Sequence, residues 1–387
     1  MNIRLIKTKR NIIDVYPVGD RIMELSSRKV GDSVFYGLSL YDPAKNTISE
    51  IVSNIHEDRW IPVQNCIWES RDHYYAVFNE KAGSGLGSIT VYEYCIADGS
   101  VKTFYSIPDR FPLPSEDKQV RIFVITEDQI IIQTEHKRDK KNEKLMGNIE
   151  FFQVLCNVTT GERTEVKDLN LINNGINTII PVSSTDIMLK TGFSHLEDPR
   201  IEQDSEAEAL IESVYYGSLS MFISSFRDKT TIGYKLLGTA YFDKCIVSPG
   251  AQDDYIYFTV IDPGNKSSET VFYDHVNDET FRCLQEDVDK DNLSRAYVIG
   301  NKPYMRSSSP ELNVFFNVRT GENEGLFYDE QFAAVVGKLL VFNSMNHNRR
   351  STRLYLVQGS RHVLEEHGRY LNGCCMNDDH FIYIFKR

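Results

Sequence analysis

The chain has 387 residues, of which 41% are hydrophobic and 25% are charged, and this composition excludes an intrinsically disordered protein. Its formal charge of −12 opposes phosphate backbones at long range, so we expect no nucleic-acid partner. No stretch approaches the ~18 consecutive apolar residues of a membrane span. The first residues also lack the apolar run of a secretion signal, so we expect a cytoplasmic protein with no membrane partner.

The seven cysteines are odd in number and lack the spacing of metal ligands. Most stand within apolar strand patterns, which is typical of small buried side chains. Cys374 and Cys375 are adjacent, so on a strand they would point to opposite faces. We therefore predict no metal site and no cofactor.

A short repeat runs through the chain: a polar turn with Asp, Asn or Gly precedes a run of apolar or aromatic residues. In chain order, its eight copies contain Gly19-Asp20, Arg71-Asp72, Glu127-Asp128, Thr185-Asp186, Asp253-Asp254, Gly300-Asn301, Val336-Gly337 and Asp378-Asp379. Asp, Asn and Gly tolerate left-handed turn conformations, and the apolar run favours a strand. Each copy therefore predicts a tight β-hairpin.

A second hairpin signature follows each of the first seven copies. The segments 156–162 (CNVTTGE) and 316–322 (FNVRTGE) are near copies of one such turn. Two hairpins per unit make a four-stranded antiparallel blade, and a spacing of roughly 36 to 68 residues brackets the propeller period. We therefore predict an all-β fold, an eight-bladed β-propeller that occupies residues 1–387 as one domain, with seven blades as the alternative.

The predicted blade limits are 11–54, 63–107, 119–168, 175–238, 241–286, 294–329 and 331–366. The remaining segment, 368–387, contains a single hairpin, and the strand pattern at residues 3–6 can supply another strand to it. An open ring would leave unpaired strand edges and exposed apolar faces. We therefore predict that the N-terminal strand pairs with the C-terminal hairpin and closes the propeller.

One copy of the repeat extends over residues 68–78, with the sequence WESRDHYYAVF. This segment resembles a degenerate form of the repeat in TolB-like and dipeptidyl-peptidase-type propellers, which begins Trp-Ser-Pro-Asp-Gly. The resemblance implies a propeller that is either a partner-binding module or an accessory domain that gates a hydrolase. Because blades use essentially the whole sequence, we expect no separate hydrolase domain within it.

Long connections at 79–88, 136–148, 194–213, 262–268 and 343–352 all follow the second strand of a predicted blade. In a propeller such connections lie on one face, so we predict binding at this long-loop face. The acidic insertion 194–213 contains Asp198 followed by Pro199, which suits a helix start. Whether such a helix forms a lid or a solvated decoration stays open.

Candidate binding residues are the charged and aromatic side chains predicted to lie near this face. They are His56, Arg59, Trp60, His195, Glu197, His347, Arg349 and Arg350. Trp and Arg commonly anchor interfaces, although Trp60 also suits a core position beneath a loop. No Gly-x-Ser-x-Gly or His-Glu-x-x-His motif occurs, so catalytic residues stay unassigned.

Two functions follow from this pattern. The first is a non-catalytic binding or scaffolding propeller that recognises a protein or peptide through its long-loop face. The alternative is an enzyme, a hydrolase, lyase or isomerase, that acts on a sugar or lactone at the axial channel. The alternative makes a small carbohydrate the ligand, and it predicts a deep polar pocket with convergent carboxylates.

Overall fold

A computed structural model of the chain describes residues 1–57, 67–70, 73–81, 86–112, 118–137, 149–165, 176–191, 211–225, 233–241, 244–288, 294–308, 312–328, 331–346, 349–377 and 380–386. These residues form eight β-sheets and very little helix. The sheets are the blades of an eight-bladed β-propeller, so the predicted fold is confirmed and the seven-bladed alternative is excluded.

Seven of the sheets are four-stranded and antiparallel, with their strands in sequence order, and we call them blades 1 to 7. The first strand of the chain, β1 (Asn2–Thr8), belongs to the eighth sheet.

Blade 1 contains β2 (Asn11–Val18), β3 (Arg21–Val30), β4 (Ser33–Asp42) and β5 (Thr47–Glu57). Blade 2 contains β6 (Ile67–Ser70), β7 (His73–Lys81), β8 (Leu86–Cys95) and β9 (Val101–Pro112). Blade 3 contains β10 (Lys118–Val124), β11 (Gln129–Lys137), β12 (Ile149–Asn157) and β13 (Arg163–Glu165). Blade 4 contains β14 (Ile176–Pro181), β15 (Asp186–Thr191), β16 (Ile211–Ser218) and β17 (Lys235–Tyr241). Blade 5 contains β18 (Cys245–Gln252), β19 (Tyr255–Asp262), β20 (Ser267–Asp274) and β21 (Glu279–Gln285). Blade 6 contains β22 (Arg295–Val298), β23 (Pro303–Ser308), β24 (Leu312–Asn317) and β25 (Glu322–Tyr328). Blade 7 contains β26 (Gln331–Val336), β27 (Leu339–Asn346), β28 (Arg349–Leu356) and β29 (Arg361–His367).

The eighth sheet joins the two ends of the chain, and we call it the closing sheet. It contains β1, β31 (His380–Lys386) and β30 (Arg369–Asn377), in that order. β1 runs parallel to β31, with Asn2 opposite His380 and Leu5 opposite Tyr383. The predicted pairing of the N-terminal strand with the C-terminal hairpin is thus confirmed.

The hairpins between first and second strands follow the predicted turn chemistry in several blades. Gly19, Asp253, Gly300, Asn301 and Gly337 all have positive φ, between 51° and 58°. Blades 3 and 4 differ, because their hairpins use wider turns at 126–128 and 183–185 with no positive φ. In blade 3 the Thr126 hydroxyl donates to the Asp128 carboxylate, and in blade 4 the Ser183 hydroxyl accepts the backbone N–H groups of Thr185 and Asp186.

The turns between third and fourth strands share one hydrogen-bond pattern, which explains the near-copies in the sequence. A side-chain oxygen at the end of the third strand accepts the backbone N–H groups two and three residues further on. The residues that do so are Asp42, Asn157, Asp274 and Asn317. In each case the residue four positions later has positive φ and leads into the fourth strand.

The described chain divides into two compact units. One consists of Met1–Arg59 and Asp289–Arg387, and the other of Trp60–Val288. In the first unit, Ile22 of blade 1 packs with Ile382 of the closing sheet, while Phe381 on the opposite face packs with Leu339 of blade 7. Both faces of the closing sheet are therefore covered by a neighbouring blade.

The adjacent cysteines follow the same division between faces. Cys374 belongs to the apolar cluster shared with blade 1, and Cys375 packs against the cluster shared with blade 7. The predicted opposite orientation is confirmed. Burial raises the pKa of the Cys374 thiol to about 12, which keeps it protonated at neutral pH.

The second unit contains blades 2 to 5, and its core includes a short helix that the sequence analysis did not predict. Helix α1 (Leu219–Ser225) lies between β16 and β17, and its Phe222 is fully buried among residues of blades 3 and 4. Most of the predicted insertion 194–213 falls outside the described residues, and Ile211 to Ser213 begin strand β16. No helix in the described part of the chain could span a bilayer.

The long connections do join second to third strands, but several are shorter than predicted. In blade 2, Asn79–Lys81 pair with Gly87–Ile89, so strands replace both ends of the predicted loop 79–88. In blade 7, Asn343–Asn346 pair with Arg349–Thr352. The polar composition of these segments suggested loops, whereas the hairpin ladder satisfies their backbone N–H and C=O groups.

The outermost strand of blade 6 has a side-chain cap on its free edge. Ser360, in the 3₁₀ turn Gln358–Ser360 of blade 7, accepts the backbone N–H of Leu326 and donates to its carbonyl oxygen, both at 2.7 Å. Leu326 itself is 41% exposed. The Ser360 hydroxyl therefore hydrogen-bonds to the N–H and the C=O of Leu326, two backbone groups that would otherwise be unpaired at the edge of the sheet.

Gly337 gives a test of the packing between blade 7 and the closing sheet. A Cβ there would lie 2.9 Å from Phe381 and 3.0 Å from Cys375 Sγ, whereas a Cβ at Gly19 would have no neighbour within 4 Å. Both glycines have similar φ, +57° and +58°, in equivalent hairpins. We expect Gly19→Ala to cost about 1 kcal/mol through backbone strain, and Gly337→Ala to cost a further ~1–3 kcal/mol through overpacking. Urea denaturation of both variants measures this, and equal losses would contradict the close approach.

Candidate binding cleft on blade 1

The sequence-predicted binding residues are only partly described. His56 lies in β5, where its backbone is opposite Phe35, and Arg349 and Arg350 begin β28 opposite Asn346 and Met345. Arg59, Trp60, His195, Glu197 and His347 lie outside the described residues. Their role in binding stays a prediction.

A cleft of about 750 Å³ lies on blade 1, at the end where β3 turns into β4. Its lining comes from the linker between β1 and β2, from the first residue of β2 and from strands β3, β4 and β5. The volume is within the range of small-ligand pockets. All of these elements belong to one compact unit, so the cleft is a local feature of blade 1 and the linker that enters it.

The floor of the cleft is small and polar. Gly37 of β4 pairs with Ser26 of β3, and a Cβ at Gly37 would lie 3.3 Å from the Val52 carbonyl oxygen. Ser39 and Ser53 complete this part of the lining. The absence of a side chain at Gly37 thus avoids a close contact with the β5 backbone, and the serine hydroxyls of the lining can act as hydrogen-bond donors and acceptors.

One wall carries an arginine against an aromatic ring. Arg28 pairs across the ladder with Phe35, and its guanidinium carbon lies 5.6 Å from the ring centroid. A cation over an aromatic face is attracted by the ring quadrupole, and the contact restricts the arginine side chain. Both side chains line the cleft.

An ion pair with a buried carboxylate holds the linker beside the cleft. Arg10 of the linker donates to Glu24 Oε2 of β3, and the Glu24 side chain is 1% exposed. The second oxygen, Oε1, has no hydrogen-bond partner among the described residues. Burial raises the pKa of the Glu24 carboxyl, and the charge of Arg10 offsets only part of this effect. The pair fixes the linker on blade 1, and the desolvation of the Glu24 carboxylate opposes this stabilisation.

The cleft is positively charged although the chain has a formal charge of −12. Among the described residues, the cations that line it are Lys9, Arg10, Arg28 and Lys29, and the lining acid is Glu50. Lys9 and Lys29 make no ion pair with any other described residue. A local excess of cations on an acidic protein attracts negatively charged groups of a ligand.

Sequence reasoning missed these residues. Lys9-Arg10 and Arg28-Lys29 are two short basic pairs far apart in an acidic sequence, and neither resembles a motif. Only the hairpin β2–β3, which places Asn11 opposite Ser27, brings the two pairs together. The occurrence of two such basic pairs was the one feature of the sequence that could have indicated this cleft.

Other polar clusters in the described chain stabilise turns. Lys235 contacts Asp278 and donates to Tyr273 at the turn of blade 5. Tyr304 donates to Glu324 at 2.6 Å in blade 6. No group of three or more His, Cys, Asp or Glu residues that could hold a metal occurs among the described residues. The enzyme hypothesis therefore stays a prediction without an assigned site.

The fold defines the chain as an eight-bladed β-propeller, with a cationic cleft on its first blade. No protein-family model and no curated protein matches the chain. Similar solved structures include the β-propeller domain of the Trilobed protease from Pyrococcus furiosus, at 9% identity and a TM-score of 0.47 over 93% of this chain and 96% of that one. They also include an oligogalacturonate lyase in complex with manganese, at 11% identity and a TM-score of 0.43 over 90% and 97%. TolB from Acinetobacter baumannii matches at 13% identity and a TM-score of 0.28 over 89% and 79%. These similarities concern the fold alone.

Replacing Glu24 should change how stability depends on pH. Because the folded pKa of Glu24 is raised above 4.5, its contribution to stability is present at low pH and is lost as pH rises through the folded pKa. The stability of the wild type relative to Glu24→Gln should therefore fall as pH increases from about 4.5. Urea denaturation across this pH range measures the difference.

Asp262 provides a control of opposite sign. Lys244 and the backbone N–H of Asn265 lower the pKa of Asp262 to about 2, so its contribution is lost as pH falls. The stability of the wild type relative to Asp262→Asn should rise with pH over the acidic range. If the difference in stability between the wild type and Glu24→Gln does not change with pH, the proposed desolvation of Glu24 is contradicted.

Proposed function

We propose that this chain is a non-catalytic binding propeller that recognises an acidic segment of a partner protein in the blade 1 cleft. The observation that carries the proposal is the convergence of Lys9, Arg10, Arg28 and Lys29 around one cleft in a strongly acidic chain. Carboxylates of an extended segment are the complementary groups, since arginine binds them through two parallel N–H donors.

The position of the cleft supports the same proposal. It lies beside the hairpin between the second and third strands of blade 1, at the end where the sequence analysis predicts binding. The backbone of His56, one of the predicted residues, lies opposite Phe35 of the cleft wall. The serine hydroxyls of the floor could donate hydrogen bonds to a peptide backbone and accept hydrogen bonds from it.

A peptide suits the charge distribution better than a nucleic acid does. The net charge of −12 would repel a long phosphate backbone beyond the cleft, whereas a short acidic segment contacts only the local cations. Screening by salt should weaken such binding, because the four cations lie at the surface or at the cleft rim.

Reversing two cleft charges should weaken peptide binding. In Arg28→Glu/Lys29→Glu, two attractions become repulsions, each worth on the order of 1 kcal/mol, so affinity for a Glu-rich peptide should fall by about tenfold or more. Fluorescence anisotropy with a labelled Glu-rich peptide at low ionic strength measures the change. Affinity of the wild type should also decrease as salt is added.

The matched control is Arg21→Glu/Lys45→Glu. These residues lie in blade 1 at the opposite end of the strands, are 42% and 72% exposed, and give the same change in net charge. We expect the control to retain most of the wild-type affinity. Equal losses in both variants, or no binding by the wild type, would overturn the proposal.

A further inference from the structure

The closing sheet has one strand fewer than each of the seven blades. Within the described part of the chain its order is β30, β31 and β1, so β1 takes the place of a third strand and ends the sheet. In every blade a fourth strand pairs antiparallel with the third. The side of β1 that faces away from β31 therefore corresponds to the position at which the blades carry their fourth strand.

The backbone of β1 has groups available for pairing on this side. Asn2–Thr8 pair with His380–Lys386, and no other described strand pairs with β1. Because alternate residues of an edge strand direct their N–H and C=O groups away from the paired neighbour, half of these groups face outwards. In blade 6, Ser360 binds such groups of Leu326, whereas no equivalent cap on β1 occurs among the described residues.

The apolar side chains of β1 are less covered than those of a third strand in a four-stranded blade. In blade 6, Phe315 of the third strand is fully buried, and its ring centroid lies 5.8 Å from that of Phe327 in the fourth strand. In β1 no residue is buried, and Ile3, Leu5 and Ile6 are only partly covered. A strand added beside β1 would remove more of this apolar surface from water.

The charge of β1 favours an acidic strand at this position. Its sequence, NIRLIKT, contains two cations and no acid. Lys7 pairs with Glu366 of β29 at 2.8 Å, whereas Arg4 is partly exposed and makes no ion pair with any described residue. A second copy of β1 would bring like charges together across the pair, which is destabilising. A carboxylate on an incoming strand would instead complement Arg4.

We propose that the edge of β1 binds an extended segment of a partner protein, which pairs antiparallel with β1 as a fourth strand and places a carboxylate at Arg4. This surface is separate from the blade 1 cleft and does not depend on the proposed function. In such complexes main-chain hydrogen bonds provide affinity and alternate side chains provide specificity.

The faces of β1 define the pattern of the segment. Ile3 and Leu5 lie towards blade 7, while Arg4 shares a face with Ile6, which packs towards blade 1. The segment should therefore carry apolar residues on one face and an acidic residue on the other.

Labelled peptides of seven residues, the length of β1, test strand pairing by fluorescence anisotropy. The test peptide has Val at alternate positions, with Glu and Thr between them. Two modified forms carry N-methyl groups on one or the other set of alternate residues. Because only one set of N–H groups faces β1, one form should lose affinity by about tenfold or more, while the other binds like the unmodified peptide. Equal affinities of the two modified forms would overturn strand pairing.

Arg4→Glu tests the role of the cation. It turns an attraction into a repulsion, so affinity for the Glu peptide should fall by about two- to tenfold, with little change for a peptide that has Gln in place of Glu. Circular dichroism and the urea midpoint verify that the variant is folded.

The matched control is Arg369→Glu, which makes the same charge change on β30, at the other edge of the closing sheet. Arg369 is exposed and makes no ion pair with any described residue. This variant should bind both peptides like the wild type. An equal loss in Arg4→Glu and Arg369→Glu would overturn the role of Arg4.

Hydrogen exchange separates this surface from the cleft. Binding of the Val-Glu-Thr peptide should slow amide exchange in β1 and leave β3 unchanged, and Arg28→Glu/Lys29→Glu should bind this peptide like the wild type. If that variant loses the peptide, or if protection appears in β3 instead, this inference is overturned while the proposed function stands. If β1 is protected but no Glu-rich peptide binds the cleft, the proposed function fails and this inference stands.

Two further outcomes would overturn the inference. One is that the wild type binds none of the strand peptides, in which case Arg4 only keeps foreign strands from the edge. The other is a dimer in sedimentation equilibrium that the Val-Glu-Thr peptide dissociates, since a second copy of the chain would then be the occupant of this edge.

Discussion

The parallel pairing of β1 with β31 is the constraint on which the first unit depends. Without β1, the C-terminal hairpin would be a two-stranded ribbon with an open edge, and such ribbons are marginal in water. β1 also contributes to both faces of the sheet, because Leu5 packs towards blade 7 and Ile6 towards blade 1. The two ends of the chain therefore stabilise each other through backbone pairing and through side-chain burial on either face.

The linker that follows β1 supplies one side of the cleft. β1 ends beside the start of β2, so the short linker between them must cross the edge of blade 1. Arg10 in that linker reaches Glu24, and this contact holds the linker against β3. The two basic pairs of the cationic cleft come from this linker and from β3, and the β2–β3 hairpin brings them together.

Much of the fold was predictable because turn chemistry is local. The left-handed residues at Gly19 and Asp253 and the repeated side-chain caps at Asn157 and Asn317 are encoded within a few residues, and so are the blade limits. Helix α1 was not predictable, since its apolar run also suits a strand and burial of Phe222 decides between them. The cleft was not predictable because it depends on register between distant segments, which composition does not encode.

The serine cap on blade 6 bears on how easily a foreign strand could pair with this edge. Outermost strands of blades present unpaired backbone groups that can template a foreign strand, and exposed apolar side chains such as Leu326 and Tyr328 increase that hazard. By binding both the N–H and the C=O of Leu326, Ser360 interrupts the row of free groups at its middle. An incoming strand would therefore find the N–H and C=O of Leu326 already occupied.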